Sequence, residues 1–338
     1  MYSFFITFAA LKIYKIMAKV LGMGNALVDA LAQIDNDNVL EQLGLPKGSM
    51  QLVDWEASEK AMKAVANFPL SQASGGSAAN TIHGLAKLGI ETGFIGKIGK
   101  DEIGEFFKND LLDAKVTPLL AESETRSGLA LALVSPDSER TFATYLGAAV
   151  EISAEDLKIE QFQGYDYFHI EGYLVQNYEL IERAVVLAKE AGCKVSIDLA
   201  SFNVVEANLD FLKRITEQYV DIVFANEEEA KSFTGKEPEE ALHQIAEIAD
   251  YAIVKIGSKG SMVKHDGKVY NAGVIKANSI DTTGAGDLYA SGFLYGMIKG
   301  YSLDRCAEIG AITAGNIIEV IGAKMDDSRW EEIYKMIG

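Results

Sequence analysis

Asp281-Thr282-Thr283-Gly284-Ala285-Gly286-Asp287 runs directly into a helical pattern over residues 288–299. Three small residues stand where that helix begins, so its unpaired backbone N–H groups and its positive end face one point. An anion, most often a phosphate, suits such a point. Asp287, one turn in, sets a carboxylate beside it. Backbone donors for a phosphoryl group next to a base for an attacking hydroxyl are the parts that phosphoryl transfer requires. On this stretch alone, a glycine-rich helix start that only packs closely is the competing reading.

Upstream of the run the chain alternates. Residues 167–170, 194–197, 222–224 and 251–255 read as strands, separated by helical patterns at 178–191, 209–219, 227–233 and 239–249. Strands spaced by helices of that length predict an α/β fold, a doubly wound and mostly parallel sheet with helices on both faces. Residues 20–24 and 92–98 add strands, 77–88 and 102–112 add helices, and Asp266-Gly267 predicts a hairpin between 262–264 and 268–270. After Ala114 the period changes. Residues 116–120, 128–134 and 141–146 follow one another as short strands without helices between them. With 27–34 and 50–53 they are expected to form a small β-sheet lid over the main body. Helices at 284–299 and 303–320 close the core, and 330–336 forms a last one.

The chain has 338 residues, 49% of them hydrophobic, and only 5 prolines, which predicts one large domain with a sizeable core and no long linker. A net charge of −18 argues against nucleic acid or an anionic membrane as partner. Cys193 and Cys306 read as buried small hydrophobes of a reducing, cytoplasmic setting. The four histidines show no metal-ligand spacing. Residues 1–16 are apolar but lack a basic leader and a clean cleavage site, and Lys12 and Lys15 interrupt them. They read as an upstream extension outside the fold, with Met17 the working start and 17–338 a single domain; a weak signal peptide is the alternative.

No Gly-x-x-x-x-Gly-Lys-Ser/Thr run occurs, so the P-loop mode of phosphate binding is excluded. Gly22-Met23-Gly24-Asn25 is an incomplete dinucleotide fingerprint, because Leu27 takes the place of the third glycine; this argues against an oxidoreductase. Gly75-Gly76 before a helix that carries Asn80 allows a ligand to approach the backbone, or marks an ordinary helix start capped by Ser77. Asp29, in an otherwise apolar strand, needs partners if buried, and sugar hydroxyls are suitable ones. Asn226 to Glu229 opens a helix either as plain capping chemistry or as a holder of Mg²⁺ and its water. Lys255, Gly257 and Gly260 follow a parallel strand at the end where ligands of open α/β sheets collect, though a simple turn fits equally.

Asp29, Gly75-Gly76, Asn80 and the run from Asp281 to Asp287, in this order, resemble the ribokinase/PfkB family of carbohydrate and nucleoside kinases. Gly96-Lys97-Ile98-Gly99-Lys100-Asp101 and Gly104 match its other signature region. The resemblance spans residues 19–337. It implies ATP as donor, Mg²⁺ as cofactor and transfer of the γ-phosphoryl group to a primary hydroxyl. It implies Asp287 as the base and the amides of Gly284, Ala285 and Gly286 as the anion hole. Asn25, Asp29, Gly75, Gly76 and Asn80 resemble the family's acceptor-gripping residues, and Arg140 a lid arginine that reaches the phosphates. Asn226 and Glu229 match its Asn-x-x-Glu element near Mg²⁺; Lys255, Gly257, Gly260 and Thr283 fall on its nucleotide side. Thr283 and residues 320–322 lie where some relatives hold a monovalent cation, and whether this chain uses one is left open.

The substrate is less fixed than the reaction class. The opening 21–29 looks closest to the adenosine-kinase-like branch, whereas 138–148 is compatible with that branch and with the sugar kinases. A nucleoside site needs apolar surfaces around a base, which Met50, Leu52, Leu131, Leu133 and Phe168 are candidates to supply, with Gln51 as a lone amide among them. A sugar kinase is therefore expected, with adenosine as the rival acceptor. A non-catalytic sensor on this fold is disfavoured by the intact Asp287. The apolar face of a β-lid leaves room for a second subunit to cover it.

Overall fold

In the computed structural model residues 18–137 and 139–338 are described. The 1–16 extension, the Met17 start and Ser138 lie outside them. Among the described residues fourteen strands run in chain order, with ends at Val20–Met23 (β1), Leu27–Gln33 (β2), Met50–Leu52 (β3), Leu70–Gly75 (β4), Thr92–Gly99 (β5), Val116–Ser123 (β6) and Gly128–Val134 (β7). They continue with Arg140–Tyr145 (β8), Tyr167–Glu171 (β9), Lys194–Asp198 (β10), Ile222–Asn226 (β11), Tyr251–Lys255 (β12), Ser261–His265 (β13) and Lys268–Ala272 (β14).

Nine of these form one sheet in the order β14-β13-β12-β11-β10-β9-β1-β5-β6. From β12 to β6 every neighbouring pair is parallel, and β13 and β14 add an antiparallel hairpin. Asp266 and Gly267 both take positive φ there (46 and 73), the geometry a tight hairpin turn demands. β1 sits in the middle, with β5 leaving it on one side and β9 on the other. That reversal of winding opens a crevice beyond the carboxyl ends of the strands. The alternation read from sequence therefore gives the doubly wound sheet, and its strands are buried on both faces, as parallel strands between helix layers are.

The remaining five strands make the lid, in the order β3-β8-β7-β2-β4. The structure departs from the sequence reading in two places. Residues 116–120 belong to β6, which pairs in parallel with β5 as an edge of the large sheet. The helix Glu102–Asp113 carries the chain across from β5, so the segment is the end of a βαβ crossover, and the change of period begins only after Ser123. The lid also takes β4, Leu-Ser-Gln-Ala-Ser-Gly, which has no β-branched or aromatic residue to announce it.

Along β2 exposure alternates. Val28, Ala30 and Ala32 pack with Leu129, Leu131, Leu133 and Ala143 in a core shared with Leu40 and Ala61 of the helices Asn38–Leu43 and Trp55–Ala64, and with Val65 just past the second. Leu27, Asp29 and Leu31 take the opposite face; their strand neighbours put Ala130, Phe142, Met50 and Leu52 on it too. Met50 and Leu52 are 63% and 64% exposed. Leu131, Leu133 and Phe168 are fully buried in core packing, so they do not form the apolar surface expected of them. Among the described residues no helix is long and apolar enough to cross a membrane.

Candidate active site

A cleft of about 1130 Å³ runs along the carboxyl ends of the large sheet, beneath the lid. Asp29, Gly76 and Asn80 line one end; Asn226, Glu229, Lys255, Gly257 and Gly260 line the other. Thr283, Gly284, Ala285, Gly286 and Asp287 lie in the same lining.

The helix Ala285–Lys299 starts on Gly284, whose φ of 76 lets the chain turn into it without a side-chain cap. The Ala285 N–H donates to the Thr282 carbonyl at 3.1 Å, so one of the three amides expected to face an anion is already used. The Lys255 ammonium stands 3.0 Å from where a Cβ on Gly286 would be, which brings a cation to the same point.

Asp287 is held from across the crevice. Ser77 Oγ donates to its Oδ1 at 2.7 Å and Asn80 Nδ2 to its Oδ2 at 3.0 Å, both from the first turn of the helix Ser77–Lys87. Burial lifts its carboxyl from the ordinary 3.8 to about 6, against the pull of those hydrogen bonds. Asp29 is likewise raised to about 6 by burial, with Lys324 opposing. Its carboxylate lies over Gly75: a Cβ there would meet it at 2.2 Å, so any larger residue must displace the Asp29 side chain.

Asn25 is turned away from the cleft. Its N–H and Nδ2 both donate to Glu171 Oε1, at 2.9 and 2.5 Å. Glu171 Oε2 accepts from Ala78 N at 3.1 Å, so one buried carboxylate ties the end of β1 to the start of the Ser77 helix. Desolvation raises Glu171 to about 7.

At the other end of the cleft Asn226 and Glu229 form a reciprocal cap: Asn226 Oδ1 accepts from Glu229 N at 2.9 Å, and Glu229 Oε2 accepts from Asn226 N at 2.7 Å. Glu229 is 3% exposed and raised to about 7, chiefly by burial and then by Asp198. Lys255 Nζ donates to Asp198 Oδ2 at 2.7 Å. Arg140 does not point along the cleft. Its Nη1 pairs with Asp281 and lies 3.3 Å from Thr283 Oγ1, which fastens β8 of the lid to the loop before the Ala285–Lys299 helix.

Sequence reasoning missed Ser77 as a ligand of Asp287, Asp198, Glu171 and Lys324. Ser77 read as a helix cap. Asp198 and Glu171 each close a parallel strand, and that position was the available signal. The Lys324 ammonium is buried without a partner among the described residues, and burial lowers it to about 8.

A glycine-opened helix start, a buried carboxylate beside it and a lid over the crevice accord with a phosphotransferase that acts on an alcohol group. The family model for pfkB family carbohydrate kinases matches residues 48–329. A probable sugar kinase from Rhizobium etli CFN 42 superposes with a TM-score of 0.83 at 33% identity, over 95% of this chain and 98% of that one. Adenosine kinase from Sinorhizobium meliloti gives 0.82 at 32%, over 95% and 99%. The 5-dehydro-2-deoxygluconokinase of Shouchella clausii is 30% identical over 271 residues, 72% of this chain and 80% of that protein. The chain belongs to the PfkB family of carbohydrate kinases.

Proposed function

We propose that this kinase transfers the γ-phosphoryl group of ATP to a primary hydroxyl of a sugar. The observation that carries the reading is the double grip on Asp287 by Ser77 and Asn80, which aims a carboxylate from the anion helix at the acceptor end of the cleft. With its pKa raised to about 6, that carboxylate is ionised at neutral pH yet basic enough to accept the proton of a hydroxyl under attack. The unpaired amides at Gly284 and Gly286, with the Lys255 ammonium, meet the charge on the phosphoryl oxygens. Asp29, against Gly75 and Gly76, accepts from neighbouring hydroxyls and so orients the reacting one. Val274, Ile275, Ala311, Ala314 and Ile318 line the far end and offer an apolar slot to an adenine ring.

Among the described residues no three acidic, histidine or cysteine side chains are grouped to hold a metal directly, so a hard divalent cation here would be kept through its waters. Asp198, Glu229 and Asp287 share the phosphate region with Lys255, so carboxylates outnumber cations where a polyphosphate is to enter. Asp198 and Glu229 would hold Mg²⁺ through its waters, and the ion would supply charge neutralisation for the phosphates.

A nucleoside acceptor is the second reading, favoured by the apolar lid face of Leu27, Leu31, Phe142, Met50 and Leu52, on which a base can rest. The S. meliloti adenosine kinase is consistent with it. ADP release with ribose, fructose, keto-deoxy sugar acids and adenosine, each with and without Mg²⁺, separates the readings. A sugar-specific rise supports the first, an adenosine-specific rise the second, and no acceptor-dependent ADP would end both.

A further inference from the structure

Lys324 carries a buried ammonium that makes no hydrogen bond among the described residues. The short segment around it is tied down on both sides. Gly322 N donates to Asp281 Oδ2 at 2.7 Å, and Ala323 packs so that a Cβ on Gly284 would meet its own at 2.8 Å. Further on, Asp327 Oδ1 accepts from Lys87 Nζ at 2.8 Å. These ties lay the segment from the start of the Ala285–Lys299 helix to the end of the Ser77–Lys87 helix. The Lys324 charge is thereby brought to bear on Asp287 of the first helix, on His83 and Lys87 of the second, on Asp29 of β2 and on Asp110 of the helix Glu102–Asp113. Burial holds His83 neutral, Lys87 is paired with Asp327, and Asp110 Oδ2 already accepts from Ser74 N at 2.9 Å. Asp29 and Asp287 are the two acids of this group that line the cleft.

Two carboxylates on one acceptor site oppose each other, because the charge on either makes the other harder to ionise. Left to themselves such acids titrate as a pair that keeps a proton to higher pH, and a protonated Asp287 is no base. Asp287 also faces the acids Asp198, Glu171 and Glu229 and the neutral Tyr173, with Lys255 opposing them from the phosphate end. On Asp29 the opposing cation is Lys324. A cation bonded to these acids would relieve the repulsion but would take up oxygens that the acceptor needs. Lys324 stands outside the cleft lining and bonds to neither, so the oxygens of Asp287 stay with Ser77 and Asn80 and those of Asp29 stay open to hydroxyls. We propose that Lys324 is the shared counter-cation of the acceptor site, a positioning residue that keeps Asp29 and Asp287 ionised together. Asp29 can then orient the acceptor while Asp287 takes the proton of its hydroxyl. The inference deepens the proposed function and rests on that reading for its rate measurement.

The test compares the wild type with Lys324→Met and Lys324→Arg. ADP release gives kcat/KM across the range from about pH 5 to 9. NMR of protein labelled at the aspartate carboxyl carbons follows the two acids directly, with Asp29→Asn and Asp287→Asn used only to assign their signals. Removing the charge is expected to move the rise of kcat/KM, and the titration of both carboxyls, upward by about one pH unit or more, as loss of a neighbouring opposite charge does. At about pH 6 the Lys324→Met rate then falls several-fold below the wild type, and at high pH it recovers. Lys324→Arg keeps the charge and is expected to keep the wild-type midpoint. A Lys324→Met protein with the wild-type midpoint, however slow or unstable, would overturn the proposal, since a purely structural lysine lowers rate or melting temperature without moving a titration. So would a Lys324→Arg midpoint displaced as far as that of Lys324→Met. If Lys324→Met does not fold, Lys324→Gln supplies the uncharged side chain. The carboxyl titration needs no acceptor, so absence of ADP release at every pH counts against the kinase reading and leaves this inference to be decided by the NMR.

Discussion

Replacing Asp287 by asparagine is expected to make the protein more stable and nearly inactive. The carboxyl is raised from 3.8 to about 6, mainly by burial. At ~1.36 kcal/mol per tenfold change in proton affinity, holding it ionised at pH 8 costs about 3 kcal/mol. Part of the group borders the open cleft, where water screens it, so a gain of about 1–2 kcal/mol on removing the charge is the reasonable expectation. The new amide also finds a partner. Asn80 Oδ1 has none among the described residues, and a flip of the Asn80 amide lets it accept from the added NH₂ while Ser77 keeps its acceptor. The sign follows from linkage. A folded-state pKa above the unfolded value means that wild-type stability falls as pH rises through the window from 3.8 to about 6. The advantage of Asp287→Asn is therefore full above that window and vanishes below it. Chemical denaturation at pH 8 and pH 4 reads the difference, and ADP release reads the rate, expected to drop about 10²–10⁴-fold if the base is lost. An Asp287→Asn protein less stable than wild type at pH 8, or one with ordinary turnover, would refute the reasoning.

Other substitutions test other parts. For the wild type, kcat/KM should climb through about pH 6 and level off above it as the base ionises; a flat profile from pH 5 to 8 would remove Asp287 from that role. Gly75→Ala drives a methyl into the Asp29 carboxylate, so the acceptor KM should rise about tenfold or more while nucleotide affinity, followed by titration, stays put. Ala200 adopts φ 66 beside Asp198, a strained conformation for a residue with a Cβ; Ala200→Gly should raise stability by about 1 kcal/mol in a denaturant melt.

The large sheet was legible because its strands are short apolar runs set apart by amphipathic helices, a pattern with few other solutions. The lid was only half legible. β2 announces itself through alternation, whereas β4 is a polar, small-residue strand that exists because β2 offers it an edge. The motif-bearing residues were readable for a related reason: Gly76 and Gly284 take a positive φ that favours glycine, and Gly75 lies under the Asp29 carboxylate. Glu171, Asp198 and Lys324 carry no local signature. Their meaning comes from strands and loops far apart in sequence converging on one crevice, and only the three-dimensional arrangement supplies that. Arg140 was found as a residue, but its partner Asp281 was not, because the loop's own acid had been read as part of the anion run.

One consequence of the joint between lid and body concerns how the enzyme can be tuned. The lid leaves the large sheet through Gly24 to Ala26 and returns to it through Gly75 to Ser77, and these two connections touch: a Cβ on Gly76 would strike the Asn25 carbonyl at 2.3 Å. Glu171 clamps both from beneath. These segments are two of the four connections between lid and body, and they also stand at the end of the cleft that Asp29, Gly76 and Asn80 line. Joint and lining share one set of atoms, so a change that loosens one also loosens the other. Selection or engineering on this scaffold has to move affinity and closure together, and room for independent adjustment lies out along the lid face, at Met50, Leu52 and Phe142.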